Sequence, residues 1–578
     1  MSGPILTPSQ LPHGSTDTLL RQTPTPRNGR CILIWILLWP LSLANIILSA
    51  IVSGCRSQRA DGQRRHMASW LVLFLCVNTL TACMQLPPRR PVDVSHTLSS
   101  PTKTPLQQLV ENEARPYPGL SGYHVLSEPI EAFAARLLMI EKAQSSVDIQ
   151  YYIWRNDTIG SLMMDALIRA ADRGVRVRLL LDDNNSGSLD TLLASLNLHP
   201  NIEVRLFNPY TFRNTRILDY LFNFPRINRR MHNKVILADQ AVGLLGGRNI
   251  SDKYFNAGPG TQFSDIDVMV AGPITKEMND SFDLYWNHRA AYPIQDVLAR
   301  STPILGIANL RKQLALYSKN NAVQNYLEQT SDTDLLSNWL TGDLGLHWAK
   351  ARLIVDHPDK ILNRARRNQR SDNQLERWMG SPLHSMDIIS AYFIAGKLGT
   401  RSLIDIADHG IKIRVLTNSY AATDVGLVHA FYSKRRAKLL KHGIELYEFK
   451  AVSDQNNHLS SRLHLRQTGD ASLHAKMLAI DDKRAFIGSF NVDPRSANLN
   501  TEIGVVFDSP SMARSVSDAF NPAILGIAYQ VSLDDQGRLQ WKEADNNGEI
   551  YYHDEPDIGF FQRIGLKLLG LLPLENLL

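Results

Sequence analysis

The pattern of apolar and polar residues predicts the same series of elements twice along the chain. Residues 145–154 and residues 385–394 are apolar runs rich in β-forming residues, and each carries an aspartate at the same place, Asp148 and Asp387. In both copies this run is followed by a helical stretch and then by two further strand-like runs. A repeated series of this length indicates that one structural unit occurs twice in the chain.

The order of elements within each copy predicts a sheet covered by helices. In the first copy the apolar positions after the first strand follow helical spacing up to Gly174, and Gly410 ends the equivalent stretch in the second copy. Strand, helix and strand in this order form a βαβ unit. We therefore predict an α/β fold of two similar domains over residues 106–300 and 340–535, each a mixed β-sheet flanked by helices. A partly helical segment at 301–339 connects them.

The first 83 residues have the pattern of targeting or anchoring segments. Residues 32–53 carry no charge, and about 20 such residues in a helix span a bilayer core. A shorter apolar run at 70–82 is followed by Cys83, and the sequence around this cysteine resembles a lipoprotein cleavage box. We expect anchoring to a bacterial cell membrane by an apolar segment or by lipid on Cys83, with the membrane face left open. Translation from Met67 is an alternative start.

Two segments flank the repeated part of the chain. Residues 84–105 contain several prolines and predict a tether. Residues 536–578 predict a C-terminal amphipathic tail, in which apolar residues such as Phe561 and Leu568 lie among basic ones such as Lys567. Such a tail packs on a domain or lies on a membrane surface, and the sequence leaves both alternatives open.

A motif that begins with a histidine and a lysine two positions apart occurs in both copies with identical spacing. It reads His232-Asn233-Lys234, Asp239 and Gly246-Gly247-Arg248-Asn249 in the first copy, and His474-Ala475-Lys476, Asp481 and Gly488-Ser489-Phe490-Asn491 in the second. Residues two apart in a strand point to the same side, so each histidine shares a face with its lysine. The lysine can bind phosphate oxygens, and a histidine with a pKa of about 6.5 can attack or move a proton. The motif therefore suits an anionic phosphate ester.

Each copy also carries a carboxylate after its motif. Alignment of the strands that follow places Asp265 opposite Glu502. A carboxylate behind a catalytic histidine fixes the tautomer of the ring and stabilises the imidazolium, so we expect these two residues to orient the histidines. Asp239 and Asp481 are expected to tie their strand to the neighbouring loop. Tyr152 is expected in the core with one face near the site.

The motif HxKxxxxD followed by GSxN, present twice in one chain, resembles the phospholipase D superfamily. The wider text, from YYIW at 151–154 to LLPLENLL at the end, is similar to bacterial cardiolipin synthases of the C type over most of residues 120–578. The first copy departs from the general motif at Gly247 and Arg248, and we expect Arg248 to add a phosphate contact. The resemblance implies two phospholipase D-like domains with the active site at their interface.

The resemblance also implies a two-step transfer that uses no metal and no other cofactor. One histidine attacks the phosphorus of a phospholipid and forms a phosphatidyl-histidine intermediate, while the other protonates the departing alcohol and then acts as base for the incoming one. The near symmetry of the copies leaves these roles open, and we assign attack to His232 and proton transfer to His474. The predicted set comprises catalytic His232, Lys234, Asp239, His474, Lys476 and Asp481, phosphate-binding Asn249, Asn491, Ser489 and Arg248, and histidine-orienting Asp265 and Glu502.

The acceptor alcohol decides the product of such a transfer. Phosphatidylglycerol as acceptor produces cardiolipin, with phosphatidylethanolamine or a second phosphatidylglycerol as donor. Water as acceptor makes the enzyme a phospholipase that releases phosphatidic acid. The resemblance to the C-type subgroup favours cardiolipin.

Composition and charge narrow the remaining alternatives. The formal net charge of +6 over 578 residues is a mild bias towards anionic partners. A nuclease or phosphodiesterase on the same fold should be more basic, so we expect no nucleic acid partner. The four cysteines all lie early, which excludes a cysteine nucleophile or cysteine zinc site from the repeated part. Both motifs are intact, which argues against a non-enzymatic scaffold, and the oligomeric state is left open.

Overall fold

The computed structural model describes residues 86–98, 102–298, 302–451, 471–545 and 548–577. The N-terminal apolar segments and Cys83, on which the anchoring prediction rests, lie outside these residues. Within the part of the chain that is described, no helix is both long enough and apolar enough to cross a bilayer.

The first repeat combines nine strands with flanking helices among its described residues. The strands are β1 (Ser121–Leu126), β2 (Ser146–Tyr151), β3 (Arg176–Asp182), β4 (Ile202–Phe207), β5 (Val235–Ala238), β6 (Val242–Gly246), β7 (Gln262–Ser264), β8 (Asp267–Ala271) and β9 (Ala291–Pro293). The helices are α1 (Pro105–Ala114), α2 (Pro129–Lys142), α3 (Thr158–Asp172), α4 (Asp190–Leu196), α5 (Arg216–Phe222), α6 (Phe224–Ile227), α7 (Pro273–Trp286) and α8 (Ile294–Val297). Helices α9 (Ile307–Ser318), α10 (Asn321–Ser331) and α11 (Asp334–Thr341) connect it to the second repeat.

The second repeat and the tail contain the same kinds of element. The strands are β10 (His347–Val355), β11 (Ser385–Ser390), β12 (Lys412–Asn418), β13 (Glu445–Phe449), β14 (Ala471–Leu473), β15 (Lys476–Ile480), β16 (Arg484–Gly488), β17 (Ile503–Asp508), β18 (Ala528–Leu533), β19 (Leu539–Asp545) and β20 (Gly548–Tyr552). The helices are α12 (Ser371–Met379), α13 (Gly396–Asp408), α14 (Gly426–Lys441), α15 (Pro494–Asn498), α16 (Pro510–Ser517) and α17 (Phe560–Gly570).

The two repeats have the same sheet topology, which confirms the predicted mixed α/β fold. The first sheet runs β9-β4-β3-β2-β5-β6-β8-β1, and the second runs β17-β16-β15-β11-β12-β13-β18. Strands β2, β3 and β4 are parallel, as are β11, β12 and β13, and the other pairs are antiparallel. Strand β10 pairs with β1 at its start and with β17 further on, so 18 of the 20 described strands form one sheet, and β7 and β14 form a separate pair.

The aspartate common to both apolar runs holds the parallel strands together. Asp148 on β2 accepts two hydrogen bonds of 2.7 Å from Arg178 on β3, and Asp387 on β11 accepts bonds of 2.6 and 2.7 Å from Arg414 on β12. Because Asp148 and Arg178 are both buried, each compensates the charge of the other in the core.

The segments that flank the repeats contact them closely. Residues 86–98, which the sequence assigns to a tether, lie against the first repeat, where Arg89 donates to the carbonyl of His288 at 2.9 Å. The C-terminal tail divides into two parts. Strands β19 and β20, which the sequence analysis did not predict, extend the second sheet beyond β18, and α17 then packs on α14.

Candidate active site

The segment that carries each histidine lies beside the carboxylate segment of the other repeat. In the first repeat, His232 N–H donates to the carbonyl of Thr501 at 2.9 Å, next to Glu502. In the second repeat, β14 pairs in parallel with β7, and His474 N–H donates to the carbonyl of Ser264 at 2.7 Å, next to Asp265. This pairing places the two motifs in one site at the interface of the repeats.

The histidines and carboxylates are therefore paired across the interface. His232 Nδ1 lies 2.8 Å from Glu502 Oε2, and His474 Nδ1 lies 2.6 Å from Asp265 Oδ2. All four side chains are buried. A carboxylate that binds Nδ1–H fixes the tautomer with Nε2 as the free, nucleophilic nitrogen. Each repeat thus supplies the reactive ring of one pair and the orienting carboxylate of the other.

The two carboxylates differ in the number of groups that bind them. Glu502 also accepts hydrogen bonds from the hydroxyls of Ser489 and Ser496, the latter at 2.9 Å. Asp265 accepts its further hydrogen bond from the N–H of Ile266 at 2.8 Å. Gly247 stands in the first repeat where Ser489 stands in the second, and a Cβ at Gly247 would collide with the Asp265 carboxylate. The space that Asp265 occupies explains the departure from the general motif.

The difference in surroundings moves the pKa values of the two carboxylates in opposite directions. Burial raises the pKa of Asp265 above its usual value, against the opposing charges of Lys476 and Arg248. Burial acts on Glu502 as well, but its electrostatic interaction and hydrogen bond with the His232 ring, together with the charge of Lys234, outweigh burial and lower the pKa of Glu502. Glu502 is therefore the more firmly ionised of the two carboxylates.

The two lysines lie beside the histidines and share their burial. Lys234 Nζ donates to the carbonyl of His232 at 2.6 Å, and Lys476 Nζ donates to the carbonyl of His474. Burial lowers the pKa of Lys234 to about 7, against the opposing charge of Glu502, and burial also lowers the pKa of Lys476. An anion that binds beside the two lysines stabilises their charged forms and therefore raises their pKa values.

Both histidines are more acidic than a histidine in water. Burial, reinforced by Lys234 and opposed by Glu502, lowers the pKa of His232 to about 4. Burial and the charge of Lys476 lower the pKa of His474 well below its usual value. Both rings are therefore neutral at pH 7 in the free site, and a neutral ring is the form that attacks phosphorus.

Aromatic rings pack on both histidines. The ring of Tyr152 lies 4.9 Å from that of His232, and the rings of Tyr254 and Phe263 lie 5.2 and 5.1 Å from that of His474. These contacts limit ring rotation and exclude water from one side. Tyr254, Phe263 and Ser496 were not predicted from the sequence, since no motif marks them.

The predicted phosphate-binding residues have different places in the structure. Arg248 is fully buried and donates to the carbonyls of Leu126 and Ser127 at 2.8 and 2.6 Å. Its guanidinium also donates to Asp267 at 3.3 Å. The hydroxyl of Ser489 donates to Glu502. The phosphate-binding roles of Arg248 and Ser489 stay predictions.

The two asparagines of the motif are also unequal. Asn249 Oδ1 accepts from the N–H of Ile153 at 3.1 Å, and its Nδ2 donates to the hydroxyl of Tyr254 at 2.8 Å. Asn491 Oδ1 is buried and has no hydrogen-bond partner among the described residues. Of the two, Asn491 has the side-chain amide that is less engaged within the protein.

The two motif aspartates bind backbone at a distance from the histidines. Asp239 accepts N–H bonds of 2.8 to 3.1 Å from residues 144–146, and Asp481 accepts equivalent bonds from residues 383–385. Both lie in left-handed turns, with φ of 51° and 55°. They tie the turn after the HxK strand to the start of β2 or β11. In the part of the chain that is described, no group of three or more histidine, cysteine, aspartate or glutamate side chains could hold a metal ion.

Known proteins resemble this chain across both repeats. The family model described as cardiolipin synthase, phospholipase D-like domain, matches residues 137–286 and 375–524. Cardiolipin synthase C of Escherichia coli (strain K12) is 44% identical over 462 residues, which are 80% of this chain and 97% of that protein. A cardiolipin synthase of Oceanobacillus iheyensis is 24% identical over 410 residues, which are 70% of this chain and 69% of that protein.

Among solved structures, phosphatidylserine synthase of Haemophilus influenzae Rd KW20 matches with a TM-score of 0.48 at 14% identity, over 73% of this chain and 92% of that one. The family model covers the elements that carry both motifs, and the match to the E. coli relative extends over nearly all of that protein. The chain belongs to the family of cardiolipin synthases built from phospholipase D-like domains.

Proposed function

We propose that this chain is a phosphatidyltransferase that makes cardiolipin from phosphatidylglycerol and a second phospholipid through a phosphatidyl-histidine intermediate. The observation that carries the proposal is the crossed pairing of His232 with Glu502 and of His474 with Asp265. It supplies two neutral imidazoles in one site with two lysines for the phosphate charge. The 44% identity to a protein named cardiolipin synthase C supports the choice of product.

In the first step, Nε2 of His232 attacks the phosphorus of the donor lipid, and the bond from phosphorus to the headgroup oxygen breaks. His474, protonated when the anionic substrate binds, donates its proton to that oxygen, and the headgroup alcohol leaves. The ammonium groups of Lys234 and Lys476 stabilise the charge on the non-bridging oxygens. The phosphatidyl group is then covalently attached to His232.

In the second step, His474 is neutral and acts as a base. It takes the proton from a glycerol hydroxyl of phosphatidylglycerol, and the alkoxide oxygen attacks phosphorus. The bond from phosphorus to Nε2 breaks, cardiolipin leaves, and His474 retains the proton for the next donor. One histidine thus serves as acid and then as base, as microscopic reversibility requires.

The surroundings of the carboxylates support His232 as the nucleophile. A histidine bonded to phosphorus at Nε2 and to hydrogen at Nδ1 is a cation, so it needs a firmly ionised neighbour. Glu502 is such a neighbour, because His232, Ser489 and Ser496 all donate to it and its pKa is lowered. Asp265, with its raised pKa, suits a histidine that exchanges its proton in each step.

The lipid partners and the location follow from this reaction. We propose phosphatidylglycerol as the acceptor, phosphatidylglycerol or phosphatidylethanolamine as the donor, and a bacterial membrane as the place of reaction. Fatty-acyl lipids stay in the bilayer, so a membrane-attached enzyme meets both substrates there. Anchoring through the first 83 residues is part of the proposal.

Lipid analysis by mass spectrometry in a bacterial host that lacks cardiolipin tests the proposed function. We expect the wild-type chain to restore cardiolipin and His474→Ala to restore none. His553→Ala is the matched control, since His553 is exposed and lies outside both motifs, and it should behave as wild type. Immunoblotting of the membrane fraction checks that each variant is present.

Two other outcomes would contradict the proposal. A rise in phosphatidic acid without cardiolipin would mean that water is the acceptor and that the chain is a phospholipase. Unchanged lipids, with the protein present in the membrane, would favour a phosphodiester substrate other than phospholipid.

A further inference from the structure

Helix α17 in the tail has two apolar faces, and only one of them packs on the protein. Leu566 and Gly570 are buried against α14, where a Cβ on Gly570 would lie 2.9 Å from Lys434 Cε and 3.3 Å from the carbonyl oxygen of Ala430. This close approach attaches the helix to the second repeat. The tail therefore packs on the domain and still has a second face towards solvent.

The second face is formed by large apolar side chains. They are Phe560, Phe561, Ile564, Leu568 and Leu571, with exposed fractions of 67%, 85%, 42%, 61% and 78%. At about 100° per helical residue, these positions share one face about 100° wide. Single exposed apolar residues are common in folded proteins, but a continuous row of this kind marks an interaction surface.

Basic residues lie at the edge of this row. Lys567 is exposed one position before Leu568, and Lys397 and Lys434 are exposed on the neighbouring helices α13 and α14. None of the three lysines forms an ion pair within the described ranges. An apolar helix face with unpaired lysines at its edge matches the interface of a bilayer that contains anionic lipid.

A cleft lies between the end of the tail and the second repeat. The cleft has a volume of 910 Å³, and Leu398, Leu572 and Lys434 form its walls on the side of the tail. Leu398 is itself 82% exposed. Phe490 and Val492, the two neighbours of Asn491, form part of the opposite side. The cleft thus begins next to the end of α17, at Leu572.

We propose that the exposed face of α17, together with Leu398, docks on the surface of a bilayer that contains anionic phospholipid. The proposal rests on the proposed function, because a site that acts on phospholipids has to stand close to the bilayer. The apolar row inserts among the lipid chains, and the lysines bind phosphate groups at the same depth. Docking by this face brings Leu398 and Leu572, which line the cleft, to the lipid surface.

Photo-crosslinking tests the docking surface without reference to activity. The full-length chain is reconstituted in vesicles of phosphatidylglycerol and phosphatidylethanolamine that contain a photoactivatable phospholipid, and labelled peptides are mapped by mass spectrometry. We expect label on the peptide that contains α17, in addition to any label on the N-terminal apolar segments. Phe561→Ser with Leu568→Ser should reduce the α17 label about tenfold.

Ile304→Ser with Leu316→Ser is the matched control, since these side chains are 57% and 62% exposed and lie in the segment between the repeats. The control should retain the wild-type label. All four positions are exposed, so thermal melting should show intact folding in both variants. No label on α17, or equal label in both variants, would overturn the proposal. Equal α17 label in vesicles of phosphatidylcholine alone would overturn the preference for anionic lipid.

A rate measurement separates this inference from the proposed function. We expect the ratio of the transfer rate in vesicles to that in detergent-lipid micelles to fall about tenfold in the α17 variant and to stay constant in the control. A constant ratio in both variants would contradict the docking role. If the wild-type chain transfers no phosphatidyl group in either system, the proposed function fails, while the crosslinking still decides whether α17 docks.

Discussion

Replacement of Glu502 by glutamine removes the charge behind His232 with little change in shape. Glu502 is fully buried and binds His232 Nδ1 at 2.8 Å and Ser496 Oγ at 2.9 Å. The amide keeps one acceptor oxygen but carries no negative charge. The cationic phosphatidyl-histidine at His232 would then lose its counter-ion in the core of the protein.

The size of the effect follows from the burial of this pair. Breaking a buried, hydrogen-bonded ion pair costs about 3–5 kcal/mol. At about 1.4 kcal/mol for each factor of ten, this cost lowers kcat roughly 10²- to 10⁴-fold if it falls on the transition state. The equivalent replacement of the second carboxylate, Asp265→Asn, removes the charge behind His474 and should impair proton transfer instead.

A donor lipid with a p-nitrophenol headgroup separates the two effects. Nitrophenolate leaves without a proton, so the first step with this donor needs no general acid. We expect Glu502→Gln to slow nitrophenolate release as strongly as the natural reaction. Asp265→Asn should slow the natural reaction but leave the initial release within about threefold of wild type. Stopped-flow absorbance measures the release, and thermal melting checks that both variants fold.

Two results would refute this reasoning. One is a Glu502→Gln variant that retains a rate within threefold of wild type on both donors. The other is an Asp265→Asn variant whose nitrophenolate release is as slow as that of Glu502→Gln. The second result would mean that the roles of the two histidines are exchanged or shared.

Three further predictions concern the residues around the histidines. Asp239→Asn keeps the turn but weakens the bonds to residues 144–146, so we expect the free energy of unfolding to fall by about 2–4 kcal/mol in urea titrations; no change would contradict the backbone role. Lys234, whose pKa is about 7, loses its charge as pH rises, so kcat/KM should decline above pH 7. Lys234→Arg should move this decline to higher pH, even if the maximum of kcat/KM falls. A decline at the same pH in the variant would mean that another group causes it. Gly247→Ser forces a Cβ against Asp265, which costs about 1–3 kcal/mol of strain and should lower both kcat and the melting temperature. Wild-type values of kcat and melting temperature would show that Asp265 can move.

The duplicated fold could be predicted because local patterns carry it. The apolar runs at Asp148 and Asp387, the helix stops and the motif spacing are all properties of short segments, and the observed mixed sheets confirm the prediction. Each histidine lies beside its lysine, as the two-residue spacing predicts, although His232 and His474 precede β5 and β15 and are not part of these strands. These features need no knowledge of how the repeats pack.

The crossed pairing could not be predicted, because it depends on packing between the repeats. Alignment places Asp265 opposite Glu502 but does not say which histidine each one faces. That choice is made where β7 pairs with β14, two short strands that are more than 200 residues apart. The hydrogen-bond partners of Arg248 could not be predicted for the same reason, since they are the distant carbonyls of Leu126 and Ser127.

The strands of the tail were missed for a different reason. In β19, Leu539 and Trp541 alternate with polar residues, which is a signal for a strand. The signal is short, and the apolar helix that follows it dominates the pattern of the tail. Strand β19 is stabilised by pairing with β18, and β20 by pairing with β19, and no local pattern shows these contacts.

The measurement that tests the central claim most directly is the trapping of the intermediate in His474→Ala. With the p-nitrophenol donor, this variant needs no acid for the first step and lacks the base for the second, so the covalent adduct should accumulate. We predict a burst of about one nitrophenolate per chain and a phosphatidyl group on the peptide that contains His232, with neither in His232→Ala. A burst of two per chain, an adduct on another residue, or no adduct at all would contradict a single shared site with His232 as its nucleophile.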